Sequence, residues 1–192
     1  SYGLYPFGPL ALYNGDMAQQ NLPVLIEVKD ILLGKQGPFF SMVNAGGMNF
    51  LGMFLFLASS PFSFLAVLFD KADLVYFINI MIALKLITAS VTSAIFFRHF
   101  FKGLKSMQTV ALSVCYALCG YSMLFYQLHT WLDVMYMFPL LIIAFETLLK
   151  KGKIAPYSIV ISLMILFQFY LGYMLALFII FAFALYTFML SE

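Results

Sequence analysis

The residues that could carry chemistry in this chain are few, and one group of them lies near its beginning. The stretch from Asn14 to Gln20 places the carboxylate of Asp16 and the amides of Gln19 and Gln20 at a turn in an otherwise apolar sequence. A carboxylate that reaches a substrate hydroxyl can act as a general base. Asp followed three residues later by Gln is also a capping-box-like helix start. The two roles are compatible, and the pattern leaves both open.

A second group of polar and aromatic residues lies at two predicted turns much further along the chain. Its members are His129, Trp131, Asp133, Gln168, Tyr170 and Tyr173. His129 and Asp133 are one helical turn apart, so they could form a structural hydrogen bond with each other or coordinate a substrate hydroxyl. Trp and Tyr are also enriched at membrane interfaces. We expect this group to bind substrate, with interface anchoring as the alternative for its aromatic members.

A third candidate, Lys85, lies inside a long apolar run. Helix geometry puts it about 18 Å from the start of its predicted span, near the middle of a hydrocarbon core of about 30 Å. A charge at that depth costs at least about 2.5 kcal/mol, so it needs a partner. That partner is either an anionic ligand such as a lipid phosphate, or a buried carboxylate or backbone carbonyls.

The composition identifies the class of protein that positions these residues. Of 192 residues, 64% are hydrophobic and only 9% are charged, whereas about a quarter of a soluble globular domain is charged. The sequence therefore predicts an integral membrane protein embedded in a lipid bilayer. Its net charge of +2 is small and dispersed, which argues against nucleic-acid binding. Cys115 and Cys119 are interpreted as small core residues on one side of a helix.

The order of apolar and polar stretches predicts an all-α polytopic membrane bundle with about five spans. Residues 1–73 are predicted to form a first external loop with amphipathic and short re-entrant helices, the latter divided at Ser59-Ser60-Pro61. Residues 74–192 are predicted to form the transmembrane bundle. Its spans are expected at about 74–97, 107–127, 134–149, 154–168 and 173–190. Because no initiator Met is present, we expect an excerpt whose preceding membrane helix is missing.

The amphipathic helix of the first loop is predicted to lie on the membrane. Polar Gln20, Glu27 and Asp30 recur at helical spacing, opposite an apolar side that includes Leu25 and Val28. Pro23, which cannot occupy a helix interior without loss of a hydrogen bond, should bend this helix or mark its start.

The basic residues predict the orientation of the bundle. They cluster in two loops that lie two spans apart and therefore on one side: Arg98, Lys102 and Lys105, then Lys150, Lys151 and Lys153. The positive-inside rule makes that side cytoplasmic. The first loop and the turns at 129–133 and 168–173 are then external. We expect these parts to converge on one water-filled chamber.

Several signatures of other chemistry are missing from the sequence. It contains no Walker loop, no HExxH, no GxSxG, and no Cys or His pair at metal-binding spacing. The glycines at 46, 47 and 52 follow no strand of a βαβ unit, so they do not indicate a nucleotide site. No metal ligand is predicted.

Several short motifs follow one another along nearly the whole chain. They are Gly15-Asp16 with Gln19-Gln20, Asn44-Ala45-Gly46-Gly47-Met48-Asn49-Phe50, Ser59-Ser60-Pro61-Phe62, Leu84-Lys85-Leu86, Ala117-Leu118-Cys119-Gly120-Tyr121, Trp131-Leu132-Asp133 with Pro139-Leu140, and Tyr170-Leu171-Gly172-Tyr173-Met174. In this ordered series the chain resembles the YfhO family of bacterial membrane proteins. The resemblance rests on the order of the motifs rather than on any single one.

The resemblance implies a polytopic glycosyltransferase of the GT-C type in the bacterial plasma membrane. Such an enzyme transfers a sugar, often N-acetylglucosamine, from a polyprenyl-phosphate carrier to an external cell-envelope polymer such as lipoteichoic acid. Asp16 occupies the position of the catalytic Asp in the first external loop, so the resemblance gives it the general-base role. Relatives of this type often hold a divalent cation with a second carboxylate, which this stretch does not offer.

The resulting hypothesis is an inverting transfer in which Asp16 deprotonates the acceptor. Lys85, His129 and Tyr173 are the candidates for stabilising the phosphate leaving group. A transporter or flippase subunit for lipid-linked glycans is the main alternative. In that case Lys85 would bind the phosphate and Asp16 would only cap a helix. A scaffold for other envelope enzymes, which would bind no polyprenyl phosphate, is the third.

Overall fold

The computed structural model describes residues 3–12, 15–43 and 46–190, and helices make up most of them. Asn14 of the early polar stretch and Asn44-Ala45 of the glycine-rich motif lie outside the described residues. The α-helices are α1 (Leu22–Leu32), α2 (Phe50–Leu57), α3 (Leu74–Phe100), α4 (Ser106–Ala117), α5 (Gly120–Phe125), α6 (Leu132–Lys151), α7 (Ile154–Phe167) and α8 (Phe169–Leu190). The short elements are a π-helical turn (Met17–Asn21), 3₁₀ helices (Pro61–Leu68, Lys71–Asp73, His129–Trp131) and paired strands β1 (Phe40–Ser41) and β2 (Met48–Asn49).

Four helical segments of the described chain are long and apolar enough to cross a membrane. They are Lys71–Phe100, Ser106–Phe125, His129–Lys151 and Phe169–Met189. A helix as long as α3 covers about 40 Å, which exceeds a hydrocarbon core of about 30 Å. The predicted fold class, an all-α polytopic membrane bundle, is therefore confirmed.

The two short apolar helices of the first loop meet at a sharp bend. The axes of α2 and the 3₁₀ helix Pro61–Leu68 differ by 105°. Ser59 and Ser60 lie at the break. Pro61 begins the second helix, where its missing N–H removes no helical hydrogen bond. This is the geometry of a broken span or a re-entrant loop, and counting it as a span brings the number to five.

The helix that follows Asp16 is only partly as predicted. Pro23 lies in the first turn of α1, and Leu25 and Val28 are buried. Glu27, however, is buried instead of lying on an exposed polar face. Ser41 Oγ donates a hydrogen bond to its carboxylate at 2.8 Å, and Gln36 Nε2 donates another at 2.9 Å. The loop after α1 folds back over this side of the helix, and such a fold-back leaves no trace in helical periodicity.

Helix α3 is the centre of the bundle. It packs against α4 and α6, while α6 packs against α7 and α7 against α8. Asn79 in its second turn binds the described residues at the beginning of the chain through hydrogen bonds. Its Oδ1 accepts from the Leu12 N–H at 2.9 Å, and its Nδ2 donates to the carbonyls of Tyr5 and Leu10.

Two joints in the bundle differ from the predicted spans. The predicted span at 107–127 is broken between α4 and α5 at Leu118 and Cys119. Helices α7 and α8 are joined at Gln168 alone and form a tight hairpin. A Cβ at Gly172 would lie 2.9 Å from Ile165 Cα, so only glycine allows this close approach.

Candidate functional site

A buried ion pair joins the middle of α3 to the start of α6. Lys85 is 0% exposed and Asp133 is 1% exposed. The Lys85 ammonium lies 2.9 Å from Asp133 Oδ1, 3.0 Å from Asp133 Oδ2 and 2.9 Å from the His129 carbonyl oxygen. An ammonium has three N–H donors, so these oxygens can satisfy all of them. Of the two partners expected for Lys85, the structure contains the buried carboxylate together with a backbone carbonyl.

The two serines at the bend of the first loop, Ser59 and Ser60, lie beside this ion pair. Lys85, Asp133, Ser60 and the backbone carbonyl of His129 are called the buried cluster below. Ser60 Oγ donates to Asp133 Oδ1 at 2.9 Å, and Ser60 is itself completely buried. Ser59 Oγ donates to the Phe167 carbonyl at 2.9 Å, at the end of α7. The bend therefore connects α6 to α7, and its position follows from Pro61, which prevents α2 from continuing through it.

Two buried side chains beside this cluster retain unused hydrogen-bonding groups. Both ring nitrogens of His129 lack a partner among the described residues, and so do both amide atoms of Gln168. The structural His129–Asp133 hydrogen bond that the spacing allowed is not formed, because the Asp133 carboxylate is directed at Lys85 and Ser60. Unsatisfied buried polar groups are costly and call for an explanation. They could serve a ligand or water.

The aromatic residues bring the two predicted turns together. The Trp131 and Tyr170 rings are stacked at a centroid distance of 6.3 Å. Tyr121 Oη donates to the Trp131 carbonyl at 3.4 Å. Tyr170 and Tyr173 are both more than half exposed. The turn before α6 thus contacts the start of α8. The exposed parts of Tyr170 and Tyr173 lie on the outer side of this contact.

Asp16 lies apart from the buried cluster, on the surface. Its backbone is already helical, with φ −63° and ψ −27°, and no cap hydrogen bond is formed by its side chain. The capping prediction is therefore wrong, because the helical run starts at Gly15 and Asp16 is inside it. Its Oδ1 instead accepts from Gln20 Nε2 at 3.4 Å. Gln19 is exposed as well.

The neighbouring residue fixes the end of the bundle at which Asp16 lies. Met17 is fully buried in a cluster formed mainly by the first half of α3 and the start of α6. Its other members are Leu25, Ala66, Leu74, Phe77, Ile78, Met81, Ile82 and Leu132. Asp16 is therefore nearest the start of α3. Within the described chain, no hydrogen bond or ion pair links Asp16 to Lys85, Asp133 or His129.

The basic loops lie at the opposite end. Helices α3 and α6 run parallel, since Lys85 contacts Asp133 and, about four turns further along each helix, His99 contacts Glu146. Both helices then end in basic residues. Parallel helices thus place both lysine-rich loops together, away from Asp16.

Metal binding has no support in the described part of the chain. No three side chains of His, Cys, Asp or Glu lie close enough there to hold an ion. The resemblance leaves a divalent cation open, and the described residues assign no ligands to one.

Comparison with known proteins gives one match. The family described as bacterial membrane protein YfhO matches the chain over residues 1–192. No curated protein and no solved structure matches it.

Proposed function

The chain belongs to the YfhO family of bacterial membrane proteins, and from that premise we propose that it is a membrane glycosyltransferase with Asp16 as general base. The proposed donor is a sugar linked to polyprenyl phosphate, and N-acetylglucosamine is the sugar to be tested first. The acceptor is a cell-envelope polymer such as lipoteichoic acid. The enzyme lies in the plasma membrane with its active site outside the cytoplasm, on the side opposite the basic loops.

The observation that carries the proposal is the free carboxylate of Asp16. The hydrogen bond described for this carboxylate is a long one, 3.4 Å from the exposed side chain of Gln20. Its backbone is nonetheless held in place, because Met17 and Asn21 on the same turn are buried. A general base must be open to the acceptor yet fixed relative to the donor. Asp16 is an exposed acid, so an acceptor can reach it, and its backbone is anchored to the first half of α3 through Met17.

The reaction follows from this position. The Asp16 carboxylate takes the proton of an acceptor hydroxyl, and the hydroxyl oxygen attacks the anomeric carbon from the face opposite the phosphate. The bond between that carbon and the phosphate oxygen breaks, and its electron pair stays on the polyprenyl phosphate. The products are an inverted glycoside and the free carrier, and Asp16 returns its proton to water.

Contacts with the donor are assigned to the exposed residues near the start of α8. Tyr170 and Tyr173 present hydroxyls that can donate to a phosphate or a sugar. Beside the Trp131–Tyr170 stack, an apolar cleft of about 270 Å³ is lined by side chains that include Tyr121, Met135 and Leu175. This cleft suits the prenyl chain. Lys85, whose donors are already matched, is given a positioning role.

The test is transfer in proteoliposomes that contain the polyprenyl-phosphate sugar. We expect Asp16→Asn to lower the transfer rate by about 100-fold or more, the usual size of a general-base contribution. Asp70→Asn is the matched control, because Asp70 is an exposed acid that precedes the same end of α3. Transfer that survives Asp16→Asn unchanged would remove this residue from the mechanism.

A lipid-linked glycan flippase is the second candidate, and the buried cluster is the observation that favours it. Intramembrane charges such as Lys85 and Asp133 are typical of transport pathways. His129 and Gln168, with their unused polar groups, could line such a pathway. An assay of labelled lipid distinguishes the two candidates. A flippase moves the lipid across the bilayer without forming a glycosidic bond, and the Asp16→Asn variant moves it as fast as the wild type.

A further inference from the structure

A cleft of about 490 Å³ lies between the basic ends of α3 and α6, far from Asp16. Its lining comes from the end of α3, from the loop after it and from the last two turns of α6: Arg98, His99, Phe100, Lys102, Glu146, Thr147, Lys150 and Lys151. Four cations face one carboxylate there, whereas the whole chain has a net charge of only +2. The positive charge of the molecule is thus concentrated at this cleft.

The single acid of the cleft is already neutralised. Glu146 contacts the His99 ring with one oxygen, and its other oxygen accepts from Lys150 Nζ at 2.6 Å. This bridge joins α3 to α6 and fixes both walls of the cleft. It leaves the guanidinium of Arg98 and the ammonium groups of Lys102 and Lys151 without an ion-pair partner among the described residues.

Lys151, one of these three cations, lies at the end of α6 but is not needed to cap that helix. Helix α6 ends at Lys151, and the next residue, Gly152, has a left-handed φ of 64° and donates its N–H to the Leu148 carbonyl at 3.0 Å. Glycine in this conformation is itself a standard helix stop. The Lys151 ammonium is therefore available to an external anion.

The cleft has one aromatic lining residue, Phe100, which belongs to a row of aromatic side chains at the end of α3. Phe96, Phe97, Phe100 and Phe101 form a chain of ring contacts with centroid distances of 4.8 to 6.3 Å at the end of α3. Phe101 is about half exposed and directly follows α3, between the apolar span and the basic loop. A soluble anion would make no favourable contact with these aromatic side chains, whereas a lipid would place its acyl chains against them.

We propose that this cleft binds the phosphate headgroup of an anionic phospholipid, through Arg98, Lys102 and Lys151, with the acyl chains against the Phe96–Phe101 rings. Basic pockets between helix ends are a common way to hold such headgroups. The volume lies within the usual range for ligand sites, about 300–1,000 Å³. A bound lipid would hold the ends of α3 and α6 at the surface of one leaflet.

The test uses the purified full chain in nanodiscs that contain phosphatidylcholine and a minor fraction of phosphatidylglycerol. The number of phosphatidylglycerol molecules retained on transfer to detergent is counted by native mass spectrometry. The cleft variant is Lys102→Gln/Lys151→Gln. The control is Lys105→Gln/Lys153→Gln, which removes the same charge from the same two loops outside the cleft.

We expect the cleft variant to lower the apparent affinity for phosphatidylglycerol by about 25-fold, since each of the two lysines near an anionic surface contributes a factor of about five. The control should change it less than about threefold. Equal losses in both variants, or no loss in either, would overturn the proposal. So would displacement of the lipid by inorganic phosphate at low millimolar concentration, which would identify a site for the free anion.

Discussion

The most direct test of the buried architecture is removal of the Lys85 charge. Lys85→Met keeps the length and apolar stem of the side chain but removes the ammonium. The Asp133 carboxylate, 1% exposed, is then left with Ser60 as its hydrogen-bond donor, and the His129 carbonyl loses its contact. Breaking a buried ion pair by removing one partner costs about 3–5 kcal/mol, because an uncompensated charge stays behind.

The double variant Lys85→Met/Asp133→Leu separates this effect from lost packing. Removing both charges leaves no unpaired ion, so we expect it to be at least about 2 kcal/mol more stable than Lys85→Met. Stability is measured by reversible unfolding in mixed detergent micelles, followed by tryptophan fluorescence, since Trp131 lies two residues from Asp133. Thr88→Val, one turn along α3, is the control and should cost less than about 1 kcal/mol, as its hydroxyl bonds only within the helix. A Lys85→Met protein within about 1 kcal/mol of the wild type would refute the reasoning.

Two further predictions use matched substitutions in the same unfolding assay. Ser60→Ala removes a hydrogen-bond donor from Asp133 and should lower the free energy of unfolding by about 1–3 kcal/mol. Ser63 is equally buried, but its hydroxyl has no hydrogen-bond partner among the described residues, so Ser63→Ala should cost about 1 kcal/mol or less. Equal losses in the two variants would contradict this prediction. Gly172→Ala should cost about 1–3 kcal/mol because its Cβ meets the α7 backbone, whereas Gly120→Ala, which meets nothing within 4 Å, should be neutral.

The fold could be predicted largely from the sequence, because hydropathy decides which segments enter a bilayer. The start of α3 follows directly from Asp73 and the apolar run after it, and the bend at Pro61 from the backbone chemistry of proline. The need of Lys85 for a partner was equally predictable from the cost of a charge in lipid. Such reasoning works because each inference depends on local composition alone.

The identity of partners could not be predicted in this way. The spacing of His129 and Asp133 allows a hydrogen bond between them or a shared substrate hydroxyl, but α3 passes beside Asp133 and supplies an ion-pair partner in Lys85. Glu27 is buried by a loop from outside its own helix. Asp16 is one residue too far into its helix to cap it. Each of these outcomes depends on how separate segments pack, which periodicity within one segment does not encode.

The contacts between α3 and α6 also bear on motion. The Lys85–Asp133 and His99–Glu146 pairs fasten two parallel helices at points about 20 Å apart along their length. Contacts at two separated points resist relative sliding of the two helices, and the buried Lys85–Asp133 pair is the stronger of the two. We therefore expect α3 and α6 to move together. We expect any conformational change in a catalytic or transport cycle to occur at the helix breaks outside this pair, at Leu118–Cys119 and at Gln168.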